Sequence, residues 1–356
     1  MTETDIINYD SLSELGRSGI VNIGNTCYMN TCIQQLIHIP DIVEYFLSKD
    51  FKTDDNMKRD EHEFIAAFFR LLKGMWEDNC TIRPTAFKAA FGKLKPQFRG
   101  LRQHCSYDAL IAMLDLLDRG LSYRIEIEPQ GSIKNEKDRC MIESISAWKN
   151  SHICKKHTNS KVIYETSKII DLFYGQSQVI IKCNKCNHTT TRYDPLCSIN
   201  LALPTTEETI TLDKCLQHYS SPSNLEDYRC DNCSEVGHCV KTEHLWKLPK
   251  YLIVHLKRFK SNQVSCGQKV DTRVEFPIEE LNLNPYLEGY KKQKTRYKLL
   301  SVSNHIGNTG GGHYFAISKS ADNNWYVFND QTVAKIKKEK ILTNFAYVLI
   351  YQQYEK

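Results

Sequence analysis

The chain reads as an α+β protein, and three observations carry that reading. Apolar residues recur at helical spacing through the first third of the 356 residues. From Ile169 onward they alternate or run in short β-branched and aromatic blocks. Two widely separated Cys-x-x-Cys pairs sit inside that second region, as ribbons held by a metal require.

Taken in order, residues 1–17 are polar and form an N-terminal arm. Gly19-Ile20-Val21-Asn22-Ile23-Gly24-Asn25-Thr26-Cys27 is a glycine-punctuated turn. Cys27, Met29, Ile33, Leu36, Ile37 and Ile39 then keep helical spacing until Pro40, which is expected to stop the helix. Asp41 to Leu47 adds a helical turn, and Lys52 to Asn56 a polar loop. Phe64, Ile65, Phe68, Phe69, Leu71, Leu72 and Trp76 form the core-facing stripe of an amphipathic helix. Pro84 to Phe91 predicts a short helix with proline near its start, and Ala109 to Leu117 another. Between about Lys134 and Ser160 the composition turns polar, which predicts a surface excursion or weakly structured insertion.

Ile169 to Gly175 and Ser177 to Cys183 read as strands around a turn, and Thr189 to Leu203 continues in extended style. Further strands are expected at Val240–Leu248, Tyr251–Phe259, Val274–Phe276, Tyr297–Ser303, Tyr314–Ser318, Trp325–Asn329 and Phe345–Tyr351. The last two thirds is therefore mainly antiparallel sheet.

Composition narrows the class. Hydrophobic residues make up 41% and charged residues 25%, an ordinary globular balance. The net charge of +5 is spread out, and the basic clusters at Tyr290–Lys294 and Lys335–Lys338 read as solvated faces. No nucleic-acid partner is expected. No apolar run approaches the roughly 18 residues of a membrane span, and the acidic first ten residues are neither a secretory signal nor a transit peptide. Fourteen cysteines then point to a reducing, intracellular and cytoplasmic setting, with thiols free or metal-bound.

The chemistry starts at Cys27. A cysteine in the first turn of a helix lies at the positive end of the macrodipole, which favours thiolate, and free N–H groups there can hold an oxyanion. Near the other end, His305-Ile306-Gly307-Asn308-Thr309-Gly310-Gly311-Gly312-His313-Tyr314 places a histidine after three glycines, a bare loop suited to a narrow extended peptide. Trp325-Tyr326-Val327-Phe328-Asn329-Asp330 is the natural hairpin partner, bringing Asn329 or Asp330 beside the His313 imidazole. A thiol nucleophile, a base and an orienting group are the minimum set for covalent acyl transfer. Cys183, Cys186, Cys230 and Cys233 form a closed four-thiolate set of the structural kind, for which Zn2+ is the best match.

Together these motifs resemble the ubiquitin-specific protease family of deubiquitinating cysteine peptidases. The resemblance runs from about Gly19 to Tyr351 and includes Leu248-Pro249-Lys250-Tyr251-Leu252-Ile253-Val254-His255-Leu256-Lys257-Arg258-Phe259 as well as the Cys27 and His313 stretches. It implies a papain-like fold with one catalytic domain at 18–353. Within it, a helical thumb would occupy about 18–130, the polar insertion 134–160, zinc-ribbon fingers 165–250 and a palm 251–353. By motif position it implies Cys27 as nucleophile, His313 as general base, Asn329 as the third member with Asp330 in support, and Asn22 at the oxyanion. The implied reaction is hydrolysis after the C-terminal glycine of ubiquitin, through a thioester. The implied partners are ubiquitin and ubiquitinated proteins, met by a monomer. One departure stands out. Where the family carries a QQDAHEF-like motif, this chain has Gln103-His104-Cys105-Ser106-Tyr107-Asp108-Ala109, with Cys105 in place of the first acid and Asp108 in place of Glu. That departure leaves open a protease for another ubiquitin-like modifier. A weakly active ubiquitin-binding scaffold is the other alternative.

Overall fold

Pro40 starts a helix instead of ending one. The computed structural model describes residues 7–48, 60–126, 133–151, 153–158, 161–204, 209–259, 269–289, 293–308 and 310–355. In it α1 runs Cys27–Leu36, and Pro40 takes the first turn of α2, Pro40–Leu47. Proline suits that position because its missing N–H is not needed there. The predicted loop at 52–56 and residues 290–292 of one basic cluster lie outside the described residues.

Every residue of α1 is buried, so its polar side chains must find partners. Asn30 donates to the Asp330 carboxylate at 2.8 Å, Gln34 to the Ser18 carbonyl at 2.8 Å, and Gln35 to the Val348 carbonyl at 3.4 Å. The helix is thereby pinned to the N-terminal arm and to the sheet at once. Around it pack α3 (His62–Trp76), α4 (Thr85–Leu94) and α5 (Ser106–Leu121), with Phe64 5.1 Å from Phe87 and Phe91 stacked 4.8 Å from Phe98.

The polar stretch after this bundle is more regular than its composition predicts. After the short strand β1 (Tyr123–Ile125) come α6 (Glu136–Ser151), β2 (Ile153–Thr158) and β3 (Lys161–Thr166), and the three strands form a small sheet in the order β1-β3-β2. The expectation of a weakly structured insertion fails here. Helix α6 has a polar outer face and is held by the Gln176 amide, which donates to the Ser144 carbonyl at 2.9 Å.

A second expectation fails next door, since Lys168–Phe173 is a helix, α7, and not a strand. Ser167 caps it by accepting the Ile170 N–H at 3.2 Å, and Ile169, Leu172 and Phe173 bury one face at helical spacing. A short apolar run satisfies both periods, and the cap decides.

Strands β4 (Gly175–Cys183), β5 (Thr189–Leu196), β6 (Ser198–Ala202) and β7 (Thr209–Thr211) follow, then helix α8 (Leu212–Tyr219), which the sequence reading did not separate from its surroundings. Strands β8 (Ser223–Leu225) and β9 (Cys239–Lys247) complete a four-stranded ribbon in the order β5-β4-β9-β8. The remaining strands are β10 (Tyr251–Lys257), β11 (Arg273–Glu275), β12 (Leu281–Asn282), β13 (Arg296–Asn308), β14 (Gly311–Lys319), β15 (Trp325–Asn329), β16 (Thr332–Ile336) and β17 (Ala346–Gln353).

They build the large sheet β16-β15-β14-β13-β17-β10-β6, with β12 beside β13. Its pairs are antiparallel except β10 with β6, and β7 with β11 in a separate pair is also parallel. The sheet is buried on both faces, which explains the unbroken apolar run of β10. Tyr251 and Ile253 face the helical core, while Leu252, Val254 and Leu256 face the second core behind the sheet. The α1 N-terminus meets β14 at the junction of helices and sheet, and that junction is the floor of the site.

Candidate active site and metal centre

Cys27 opens α1 and is 3% exposed. Burial pushes its thiol pKa above the ordinary value, and the Asp330 carboxylate adds to the rise. The backbone N–H groups of Tyr314, Tyr28 and Cys27 itself pull the other way without winning. The helix terminus therefore does not deliver a ready thiolate, contrary to the expectation from the macrodipole alone. Desolvation of the buried anion outweighs those backbone N–H groups.

His313 is the third residue of β14, and Tyr314, whose N–H is directed at the Cys27 sulfur, is its neighbour. The hairpin of β14 with β15 pairs Ala316 with Phe328, and it sets His313 Nε2 2.6 Å from Asn329 Oδ1. With that oxygen accepting, Nε2 carries the proton and Nδ1 keeps its lone pair. Among the described residues no hydrogen bond joins the thiol to the imidazole.

Asp330 does something different from its neighbour. It follows the last residue of β15 at a φ of +50°, in the left-handed region, and its side chain and that of Asn329 go to different partners. Asn329 turns to His313. Asp330 turns to the nucleophile's own loop, where its carboxylate accepts Asn22 Nδ2 at 3.0 Å and Asn30 Nδ2 at 2.8 Å, and its carbonyl accepts the Ile20 N–H at 2.8 Å. Gly19 is required at this crossing, because a Cβ there would lie 2.4 Å from the Gln331 carbonyl oxygen.

Asn22 shapes the turn as well as facing it. Its Oδ1 accepts the N–H groups of Gly24 and Thr26, both at 3.1 Å. One amide proton goes to Asp330, which leaves the second for another acceptor.

A groove of about 900 Å³ lies between α5 and the sheet, and its wall includes Gly312 and Tyr314, the two neighbours of His313. His255 stacks flat on Tyr107 at 3.9 Å across it, and burial lowers the His255 pKa to about 3, so that ring is neutral. Cys105, on the groove wall, has its sulfur 3.0 Å from the Tyr347 hydroxyl, and burial pushes its thiol up. Asp108 and Lys257 also line the groove. The glycine run after His305 is a tight hairpin and not an open loop, since Gly311 and Gly312 already lie in β14.

The four predicted ligand cysteines converge at the end of the β4–β9 ribbon. Their sulfurs all lie within 4.8 Å of one another, with Cys183 to Cys233 at 3.8 Å and Cys186 to Cys230 at 3.7 Å. A tetrahedral site with metal–sulfur bonds of about 2.3 Å has edges of about 3.8 Å. The two loops are built alike. The Asn187 N–H donates to the Cys183 carbonyl and the Ser234 N–H to the Cys230 carbonyl, each at 2.9 Å, and both donors sit at positive φ. Cys239 pairs with Cys183 across the ribbon but stays outside the four. These residues are placed to hold one metal ion.

A sequence model of the family described as ubiquitin carboxyl-terminal hydrolase matches residues 18–351. The chain belongs to that family. It is 30% identical over 352 residues to ubiquitin carboxyl-terminal hydrolase Usp2 of Drosophila melanogaster, covering 97% of this chain and 35% of that protein. It is 29% identical over 360 residues to human ubiquitin carboxyl-terminal hydrolase 2, covering 96% and 56%. The chain thus spans about a third to rather more than half the length of these relatives. Among solved structures, the SAGA Ubp8/Sgf11/Sus1/Sgf73 DUB module bound to ubiquitin aldehyde matches with a TM-score of 0.71 at 21% identity, covering 100% of this chain and 72% of that one. That likeness shows the fold.

All five polar or nucleophilic positions expected from the family motifs gather at one junction, with Asp330 serving Asn22 and α1 instead of the imidazole. Sequence reasoning passed over Asn30, although it lies one helical turn after Cys27 and so shares its face. It also passed over the Tyr314 N–H, for which no residue-type signal exists.

Proposed function

We propose that the chain is a thiol-dependent deubiquitinase, cleaving the isopeptide or peptide bond after the C-terminal glycine of ubiquitin. The observation that carries this reading is the Asn329-oriented His313, whose neighbour Tyr314 directs its N–H at the Cys27 sulfur at the start of α1, with a groove of about 900 Å³ alongside. The Ubp8 module's complex with ubiquitin aldehyde lends further support.

His313 Nδ1 takes the proton of Cys27, and the sulfur attacks the terminal glycine carbonyl. The free N–H of the Asn22 amide and the backbone N–H of Cys27 stabilise the tetrahedral oxyanion. The imidazolium then protonates the leaving amine, and a water activated by the same nitrogen hydrolyses the thioester. Asn329 holds the imidazole tautomer throughout.

Cys183, Cys186, Cys230 and Cys233 hold one structural Zn2+, whose full complement of thiolates leaves no position open for catalysis. The ribbon it closes cradles the globular part of ubiquitin. No disulfide joins the cysteines whose side chains are described, which supports an intracellular setting.

Ubiquitin carrying a C-terminal electrophile tests the reading. We expect a covalent adduct on Cys27, and an unmodified Cys27 after prolonged incubation would overturn it. Cys105 in place of an acid favours one competing substrate, a ubiquitin-like modifier, and the same electrophile on such modifiers is the comparison that separates the two.

A further inference from the structure

A nucleophile 3% exposed must be uncovered before it can meet a carbonyl carbon. The segment Leu101–Gln103, just ahead of α5, crosses between the two catalytic stretches and is tied at both ends. At one end Asn25 Nδ2 donates to the Leu101 carbonyl at 2.9 Å, two residues before Cys27. At the other, Gln103 Nε2 donates to the Gly312 carbonyl at 2.7 Å, while the Gly312 N–H donates to Gln103 Oε1 at 3.0 Å, one residue before His313.

A side-chain carboxamide offers the same C=O and N–H as a peptide group. Here it exchanges both bonds with one backbone residue, the pattern of an antiparallel strand pair. Gly312 presents that backbone bare, since a Cβ there would lie 2.3 Å from His305 Nε2 and 2.5 Å from the Ile306 carbonyl oxygen. Gly312 also lines the groove. An extended peptide adding itself to this edge uses the very groups that Gln103 occupies.

We propose that Gln103 is an access-controlling latch. Its carboxamide stands in for a substrate peptide group on Gly312, and the C-terminal tail of the substrate displaces it on the way to Cys27. This rests on the hydrolase reading above. Both bonds are exposed to water, so their net strength is modest and the latch yields to a competing peptide. Leu101 is 66% exposed, and its side chain lies over Gly24 of the Cys27 turn. A chain whose competent form is only fractionally populated reacts more slowly by that fraction.

The test compares the parent with Gln103→Ala, Gln103→Glu and Asn25→Gly. The glutamate sets an oxygen against the Gly312 carbonyl, and the glycine keeps the positive φ of position 25 while losing the tie. The readout is the second-order rate of Cys27 alkylation by iodoacetamide, followed by mass spectrometry of the peptide bearing Cys27. We expect a rise of about three- to thirtyfold in each variant, with a lower KM for a ubiquitin–coumarin conjugate. Rates equal to or below the parent's in all three variants overturn the latch. So does a raised KM with unchanged alkylation, which would make Gln103 a substrate contact. The alkylation arm uses no substrate, so its failure is the latch's alone. A parent enzyme inert toward the ubiquitin conjugate sinks the hydrolase reading instead.

Discussion

The Asp330 carboxylate accepts the Asn22 amide at 3.0 Å, across 308 residues of sequence. That bond fixes the turn before the nucleophile to the strand end that bears the histidine's partner. It occupies one Asn22 N–H and leaves the other for another acceptor.

Asn22→Ala removes the proposed side-chain donor to the oxyanion. Loss of one such donor costs about 2.7–4 kcal/mol of barrier, so kcat should fall by about two to three decades while Cys27→Ala abolishes turnover. Steady-state kinetics on a ubiquitin–coumarin conjugate check the order of the two, with circular dichroism showing that the turn has not unfolded the chain. Equal rates for Asn22→Ala and the parent would contradict the role.

Asn329→Ala frees the His313 ring to take the other tautomer. Removing the orienting partner of a catalytic histidine costs up to about four decades in kcat where the wrong tautomer results. Asn329→Asp keeps an acceptor on Nε2 and should retain most of the activity. If alanine and aspartate behave alike, the 2.6 Å contact is not what positions the base.

Burial raises the Cys27 pKa, so its alkylation rate should climb with pH along a limb centred above that of an ordinary cysteine. The sign for Asp330→Asn follows from its charge. The carboxylate disfavours a neighbouring thiolate, and its neutralisation should move the limb to lower pH. Iodoacetamide rates from pH 6 to 10 would show the shift, and a limb that moves upward in the variant would count against this electrostatic picture.

Cys230→Ser breaks the proposed zinc site while leaving the cleft untouched. We expect zinc content, measured by atomic emission, to fall from about one ion per chain towards none. KM for the ubiquitin conjugate should rise as the ribbon loosens, while Cys27 alkylation proceeds at the parent's rate. A full metal complement in the serine variant would place the ion elsewhere.

The order of motifs along the chain, the two cysteine pairs and the change from period 3.6 to period 2 were all legible as residues. So was the pairing of the β14 and β15 strands, because a hairpin only twelve residues apart is a local matter. Lys168–Phe173 misled because six apolar-rich residues fit either period, and only the Ser167 cap settled it. The polar stretch at 136–151 misled because a helix covering a ribbon needs few apolar positions.

Sequence alone determined which chemical groups the chain owns and the order in which it carries them. Tertiary structure alone decided where they point. At the end of β15 the Asp330 carboxylate goes to Asn22 while Asn329 goes to His313. Burial at the helix–sheet junction then reverses the thiolate preference that the helix terminus by itself would give Cys27. Desolvation and partner distance depend on residues hundreds of positions away, and no local pattern encodes them.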